Sequence, residues 1–314
     1  MTITLLSPLK SDAAEDRLAD GLVAYLASTG LPLPEDGCLL KHIRTAMQFG
    51  SMQAVLAVSD GEAVGVVAWR VEHDAGFIVL FYVLPDVPVA SAEALLAQAM
   101  SALQRKNTPL GIYAELPAES QAVLAALQRN GFVGVERVIM ACDLTANTWS
   151  VEVPAAYDLV KWQPAAVHAA ARVLYEANRG TIDSLIIPEL QSLKTTQVIV
   201  EQTLKGRYGD FDPNASGMVY HRNGDLVGVT LVTRRHVGQG FTAEICVLPE
   251  HRRRGLAHAL MCHTHQELLA QGLTHNTLGV TATNPARALY AALGYRPVGR
   301  VCTYVWPRPA NWPL

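Results

Sequence analysis

The sequence predicts an α/β fold made of two similar units, and three observations carry that expectation. The first is a concealed repeat. Gly61-Glu-Ala-Val-Gly-Val66 matches Gly224-Asp-Leu-Val-Gly-Val229, Val83-Leu-Pro85 matches Val247-Leu-Pro249, and Gly131-Phe132 matches Gly294-Tyr295. The first and third matches share one offset and the second differs from it by a single position, so the three together point to a duplicated unit. The second observation is the order of patterns, in which apolar strands alternate with helical stretches in both halves. The third is composition: 314 residues, half of them hydrophobic and 17% charged, make a folded chain long enough for two ordinary domains.

Each half shows the same coarse order. Helical segments come first, then a hairpin of strands and an apolar strand ending in Val-Leu-Pro. A helix, another strand, a short helix and a Gly-aromatic pair follow, before a last strand. Asn147, Pro154 and small residues interrupt the pattern between Thr145 and Ala156, which is where a junction is expected. The expected domains are residues 1–148 and 149–314.

Charge and targeting signals narrow the function classes. The 25 Lys and Arg against 28 Asp and Glu leave a net charge of −3, which argues against nucleic acid as a general partner. No basic leader precedes a long apolar core, and no run reaches the roughly 18 apolar residues of a membrane span, so a cytoplasmic protein with no membrane partner is expected. Cys38, Cys142, Cys246, Cys262 and Cys302 are odd in number and lack metal spacing, which fits reduced thiols.

The most informative stretch is Val247-Leu-Pro-Glu-His-Arg-Arg-Arg-Gly-Leu-Ala-His258. Thr242 to Val247 reads as a strand that Pro249 stops. His258 to Gln271 reads as a helix with apolar positions at Leu260, Met261, Leu268 and Leu269, closed by Gly272. The turn therefore lies at a helix N-terminus, where free backbone N–H groups and the helix dipole favour an anion. Gly255 lets that anion approach the backbone, and Arg252, Arg253 and Arg254 add positive charge. A solvated basic turn before an ordinary helix is the alternative. Downstream, Leu278 to Asn284 reads as another strand. Pro285-Ala-Arg-Ala-Leu-Tyr-Ala-Ala-Leu-Gly-Tyr295 then gives a short helix capped by Asn284 and ended by Gly294.

Together these motifs resemble the GNAT superfamily of N-acetyltransferases. The family's Arg/Gln-x-x-Gly-x-Gly/Ala turn is matched by Arg252, Gly255 and Ala257. Its later Asn…Leu-Tyr…Leu-Gly-Tyr/Phe pattern is matched by Asn284, Leu289, Tyr290, Leu293, Gly294 and Tyr295. The resemblance implies two GNAT-like units, each a mixed, mostly antiparallel central sheet flanked by helices. It also implies acetyl-CoA as cosubstrate, with no metal, and transfer of the acetyl group to a primary amine of a small molecule or peptide. In that reading Ile245, Cys246 and Val247 pair with pantetheine, and the Val247 N–H faces the thioester oxygen. The turn formed by Arg252, Arg253, Arg254, Gly255, Leu256, Ala257 and His258 holds the phosphates. Asn284 lies along the pantetheine arm, and Tyr290 is the general acid beside the sulfur.

The remaining roles stay open. Glu244 is a candidate general base, and equally a strand charge paired with a neighbour; His251 and Glu250 adjoin a turn expected to be solvated. Cys246 suggests covalent chemistry, but no His partner is evident and packing explains it. His258, Cys262 and His265 share a helix face without a fourth metal ligand. The acceptor region is expected between Tyr175 and Pro188, where Asp183 suits an amine and Arg179 a carboxylate, unless both are surface residues.

In the N-terminal half, counting onward from the Val-Leu-Pro match sets Pro88, Val89, Ala90, Ser91 and Glu93 opposite Arg252, Arg253, Arg254, Gly255 and Ala257. Counting back from the Gly-aromatic match sets Leu127 opposite Tyr290. That half is expected to keep the fold without the coenzyme site. A non-enzymatic acyl-CoA sensor or interaction protein is the alternative function, and the oligomeric state, monomer or homodimer, is open.

Overall fold

A computed structural model of the chain describes residues 2–5, 15–28, 39–106, 108–117, 120–235 and 238–312. Cys38 lies outside the described residues, and among the described residues Cys142, Cys246 and Cys262 form no disulfide. The chain divides into two compact units. One is residues 1–137 with 299–314, the other residues 138–298. This division by contacts and the junction drawn from the repeat, residues 145–156, are different cuts. The contact division passes through two strands and gives the last residues of the chain to the first unit.

The first unit begins with β1 (Thr2–Leu5), α1 (Asp16–Ser28) and α2 (Leu39–Gln48). The strands β2 (Gln53–Ser59), β3 (Glu62–Glu72) and β4 (Ala75–Val83) then run antiparallel, with β1 on β2. After α3 (Val89–Arg105), β5 (Ile112–Pro117) pairs with β4 in parallel, and only over Gly76–Ile78 against Ile112–Ala114. Next come α4 (Gln121–Arg129) and β6 (Val133–Asp143), whose second half belongs to the second unit.

The second unit continues with β7 (Tyr157–Lys161), α5 (Val167–Asn178), α6 (Asp183–Ile186), α7 (Leu193–Leu204), β8 (Asp210–Phe211), β9 (Gly217–His221), β10 (Leu226–Arg235) and β11 (Gln239–Val247). Helix α8 (Leu256–Ala270), β12 (His275–Thr281), α9 (Ala286–Ala292) and β13 (Arg296–Trp306) complete the chain. Strands β7, β9, β10 and β11 are antiparallel neighbours, and β8 joins β10. From Gly299 onward β13 is part of the first unit, where Val301–Trp306 lies antiparallel to Pro117–Ile112 of β5.

The repeat is visible in the registers. Strand β11 pairs with β12 in parallel only over Gln239–Phe241 against His275–Thr277, and both stretches stand at the Gly61-to-Gly224 offset from their equivalents in the first unit. The antiparallel pair before it carries an irregularity at Ala68/Trp69 in one unit and Leu231/Val232 in the other, again at that offset. A bulge bends its strand and increases the twist, which suits a strand that must diverge from its neighbour. Beyond Phe241, β11 runs on to Val247 against β10 but has no registered β12 partner, so one edge of its end is open.

Helix α8 packs closely on this sheet because glycines face it. A Cβ on Gly240 would stand 2.5 Å from Leu268, and one on Gly228 3.4 Å from Leu260. Leu260, Leu256, Val247 and Val227 form one apolar cluster under the N-terminal end of α8. Among the described residues, no helix is long and apolar enough to cross a membrane.

Candidate active site

After β11 ends at Val247, Pro249–His251 make one 3-10 turn, and the chain swings into α8 through two left-handed residues, Arg253 (φ 62°) and Gly255 (φ 79°). A non-glycine residue in that region costs about 1–3 kcal/mol and persists only where the surroundings enforce it, most often at functional sites. A Cβ on Gly255 would meet nothing within 4 Å, so the approach to its backbone is open. The Ala259 N–H donates to the Gly255 carbonyl at 2.9 Å. The N–H groups of Leu256, Ala257 and His258 precede that bond and have no partner within the helix. With the helix dipole and the exposed Arg253 and Arg254, they form an anion cradle.

Arg252 is used differently from the expectation that it holds phosphate. Its Nε donates to the Val247 carbonyl at 3.1 Å and its Nη2 to the Ala177 carbonyl at 2.7 Å. The guanidinium ties the end of β11 to the last turn of α5. Arg254 Nη2 lies 3.4 Å from the Glu250 carbonyl. His251, the weaker base candidate, shares a 2.9 Å hydrogen bond between Nδ1 and the Tyr157 hydroxyl, and Glu250 is exposed.

Strand alternation separates the residues of β11. Ile245 and Val247 pack in the cluster beneath α8, whereas Cys246 packs with Leu174 and Ala170 of α5. Glu244, two positions from Cys246 in regular register with β10, shares the α5 face. The Asn178 amide donates to the Cys246 sulfur at 3.4 Å. Burial first, and the Glu244 carboxylate next, push the Cys246 thiol up, which keeps it protonated and unsuited to nucleophilic attack.

Tyr290 is buried, with 6% of its surface exposed. Burial, then the neighbouring Cys246, Glu244 and Asp183, raise its hydroxyl, so the phenol holds its proton at neutral pH. No described residue hydrogen-bonds that hydroxyl. Asn284, expected along the pantetheine arm, is engaged in local structure. Its Oδ1 accepts from the Ala286 N–H at 2.9 Å, capping α9, and its Nδ2 donates to Asp183 Oδ2 at 3.3 Å. Thr281 at the end of β12 donates to Asp183 Oδ1 at 2.5 Å. The segment after α5 is thereby fastened to the turn that presents Tyr290.

A buried polar network missing from the sequence reading sits where β11 and β12 part. Asn276 Nδ2 donates to Thr242 Oγ1 at 2.9 Å and to the Tyr295 hydroxyl at 2.8 Å, and Tyr295 reaches His265 Nε2 at 2.8 Å. Burial pushes His265 down to about 3, so it is neutral there. Asn276 shares its strand face with the apolar Leu278 and Val280, and a polar residue on a buried face is the signal that reveals it. His258 Nδ1 lies 3.6 Å from the Cys262 sulfur. Among the described residues, no group of three His, Cys, Asp or Glu side chains is placed to hold a metal.

The first unit lacks the cradle. Leu95 packs over Gly65 as Leu260 does over the equivalent Gly228, so α3 and α8 correspond at these leucines. That sets Val89 and Ala90, already in α3, opposite Arg254 and Gly255, and Pro88, which has no N–H, opposite Arg253. The pairing is shifted by one position from the count that the Val-Leu-Pro match gives. Glu93 falls opposite His258 and is bonded to Arg129 of α4 at 3.1 Å. Helices α3 and α4 lie against each other, whereas α8 and α9 make no comparable contact.

Residues 187–305 match the family model described as "Acetyltransferase (GNAT) domain". Among solved structures, the chain is similar to a GCN5-related N-acetyltransferase from Sphaerobacter thermophilus (18% identity, TM-score 0.68), covering 97% of this chain and 94% of that one. It is also similar to a tandem GNAT protein from the clavulanic acid biosynthesis pathway (15%, TM-score 0.55), covering 100% and 99%. A third similarity is to a GCN5-related glucosamine N-acetyltransferase region of a fungal multi-domain GH3 β-N-acetylglucosaminidase (16%, TM-score 0.61), covering 96% of this chain and 38% of that one. No curated protein matches the chain.

Proposed function

We propose, from the premise that this chain is a GNAT-superfamily protein of two units, that its second unit binds one acetyl-CoA and transfers the acetyl group directly to a primary amine in a ternary complex. The observation that carries the reading is the turn from Arg253 to Gly255. It delivers free N–H groups of α8 beside the open edge of β11, with Tyr290 in electrostatic reach of Glu244 and Cys246.

The roles follow from chemistry. The diphosphate takes the N–H groups of the turn, aided by Arg253 and Arg254. Pantetheine runs along the open end of β11, where the Val247 N–H polarises the thioester carbonyl. Glu244, directly or through water, takes a proton from the ammonium of the acceptor. The freed nitrogen lone pair attacks the carbonyl carbon, the carbon–sulfur bond breaks, and the departing thiolate takes the Tyr290 proton. The second proton that the acylated nitrogen must lose returns to the Tyr290 phenolate, directly or through water. A raised phenol suits a group that must keep its proton until sulfur leaves. The neutral, half-buried Cys246 thiol supports direct transfer over an acetyl-cysteine intermediate.

The test is a panel of amines, amino acids, polyamines, aminoglycosides, amino sugars and peptides incubated with acetyl-CoA, read by thiol release and product mass. Acetylation of at least one member is expected. Tight acetyl-CoA binding with no transfer to any member would favour an acyl-CoA sensor instead.

A further inference from the structure

The hydroxyl of Tyr295 joins α8 to the segment that follows α9. It accepts from Asn276 Nδ2 of β12 at 2.8 Å and shares a 2.8 Å bond with His265 Nε2 of α8, while Asn276 also donates to Thr242 Oγ1 of β11 at 2.9 Å. Thr242 is the first β11 residue past the register with β12. All four side chains are buried, Asn276 and His265 completely. The tie continues to Tyr290, because the Tyr295 N–H donates to the Tyr290 carbonyl at 2.9 Å and the two rings stand 5.9 Å apart. One hydrogen-bonded chain therefore runs from β11, through β12 and Tyr295, to the backbone of Tyr290.

The first unit holds the equivalent place differently. The repeat sets Val79 opposite Thr242, Tyr113 opposite Asn276 and Phe132 opposite Tyr295, and the leucine correspondence of the helices sets Met100 opposite His265. Val79, Met100 and Phe132 belong to that unit's apolar core, and the Tyr113 hydroxyl donates to the Leu110 carbonyl of its own turn at 2.7 Å. There α3 and α4 brace each other directly, whereas α8 and α9 make no comparable contact. A buried polar network is a costly substitute for apolar packing unless it specifies a geometry. Here the geometry to be specified is that of α9, which stands apart from its neighbouring helix.

We infer that Tyr295 is a positioning residue for acetyl transfer: its hydroxyl, held by Asn276 and His265, fixes Tyr290 relative to β11, a task that direct helix contact performs in the first unit. The inference rests on the acetyltransferase reading of the site. Tyr295 transfers no proton itself and acts through Tyr290 alone. Misplacing a reacting group by about 1 Å can cost about 100-fold in rate, which is the scale of effect such a tie protects.

The experiment is a double-mutant cycle on the full-length enzyme, with acetyl-CoA and the member of the amine panel that the wild type acetylates fastest. Tyr295→Phe removes only the hydroxyl, and phenylalanine is what the first unit carries at that place. It should lower kcat by about tenfold, inside the loss of up to about 100-fold expected for Tyr290→Phe, with coenzyme A affinity within about threefold. In the Tyr290→Phe background the same change should cost less than about twofold, because the group it positions is gone. His265→Leu breaks the same tie with the Tyr295 ring untouched and should behave alike. His265→Gln, which can still bond the hydroxyl, should restore most of the loss, and this pair carries the test if Tyr295→Phe does not melt cooperatively. Equal loss in both backgrounds, unchanged kcat in Tyr295→Phe and His265→Leu, or no recovery in His265→Gln would make the network a core support and overturn the inference alone. A wild type that binds acetyl-CoA and acetylates no amine would overturn the acetyltransferase reading, and the inference with it.

Discussion

Arg252 donates its Nη2 to the carbonyl of Ala177 at 2.7 Å, so the turn that leads into α8 is fastened to the end of α5. The same side chain holds the Val247 carbonyl at the end of β11. Three parts of the second unit therefore meet in one guanidinium: the turn before α8, the open end of β11 and the end of α5.

Arg252→Ala should weaken binding of coenzyme A and of its pantetheine fragment alike, because strand end and turn both lose their fixture. Arg252→Lys should not restore it, since a lysine cannot span two carbonyls with one fork. Arg253→Ala with Arg254→Ala should weaken coenzyme A by about 10-fold or more, and pantetheine little, as phosphate contacts are lost alone. Titration of both ligands into both variants checks the contrast. Selective loss of coenzyme A affinity in Arg252→Ala would return Arg252 to the phosphates.

Tyr290→Phe keeps the ring and its packing and removes a proton needed only as the carbon–sulfur bond breaks. It should lower kcat by up to about 100-fold with little change in acetyl-CoA affinity. The two constants are to be measured side by side on protein that melts like wild type. Normal turnover would leave Tyr290 as a packing residue.

His265 is buried and held down to about 3, below the roughly 6.5 of a free imidazole. The unfolded chain therefore binds one more proton at this residue between about pH 6.5 and 3, so its contribution to stability is present above that window and is lost as pH falls through it. The cost is at most about 1.4 kcal/mol per pH unit. Thermal melts of wild type and His265→Gln across this range should show a shallower acid loss in the variant. Parallel curves would mean that His265 charges without penalty.

Much of this was legible in the chain, for physical reasons that also mark the limit. Gly228 and Gly65 repeat because a helix leucine sits over each, so the duplication left a trace in sequence. The Pro249 stop, Gly255 and the Gly272 end outline α8 because each is a local backbone requirement. The fate of Arg252 was hidden, since its partner carbonyl is 75 residues away. The face of Glu244 was also hidden, because the irregularity at Leu231/Val232 breaks any count of alternation from the start of β11. Periodicity marked a last strand but not its neighbour, and residues 299–314 group with the first unit. The extension of α3 through Val89 and Ala90 takes the place of the turn that precedes α8, and no breaker marks that boundary in the sequence.

The most direct measurement is a calorimetric titration of acetyl-CoA into the intact chain, since among the described residues only the second unit combines a left-handed turn, open helix N–H groups and helices that stand apart. One site per chain is the expected result, abolished by Gly255→Glu in protein that still melts cooperatively. Two sites per chain, or one site that survives Gly255→Glu unchanged, would contradict the account.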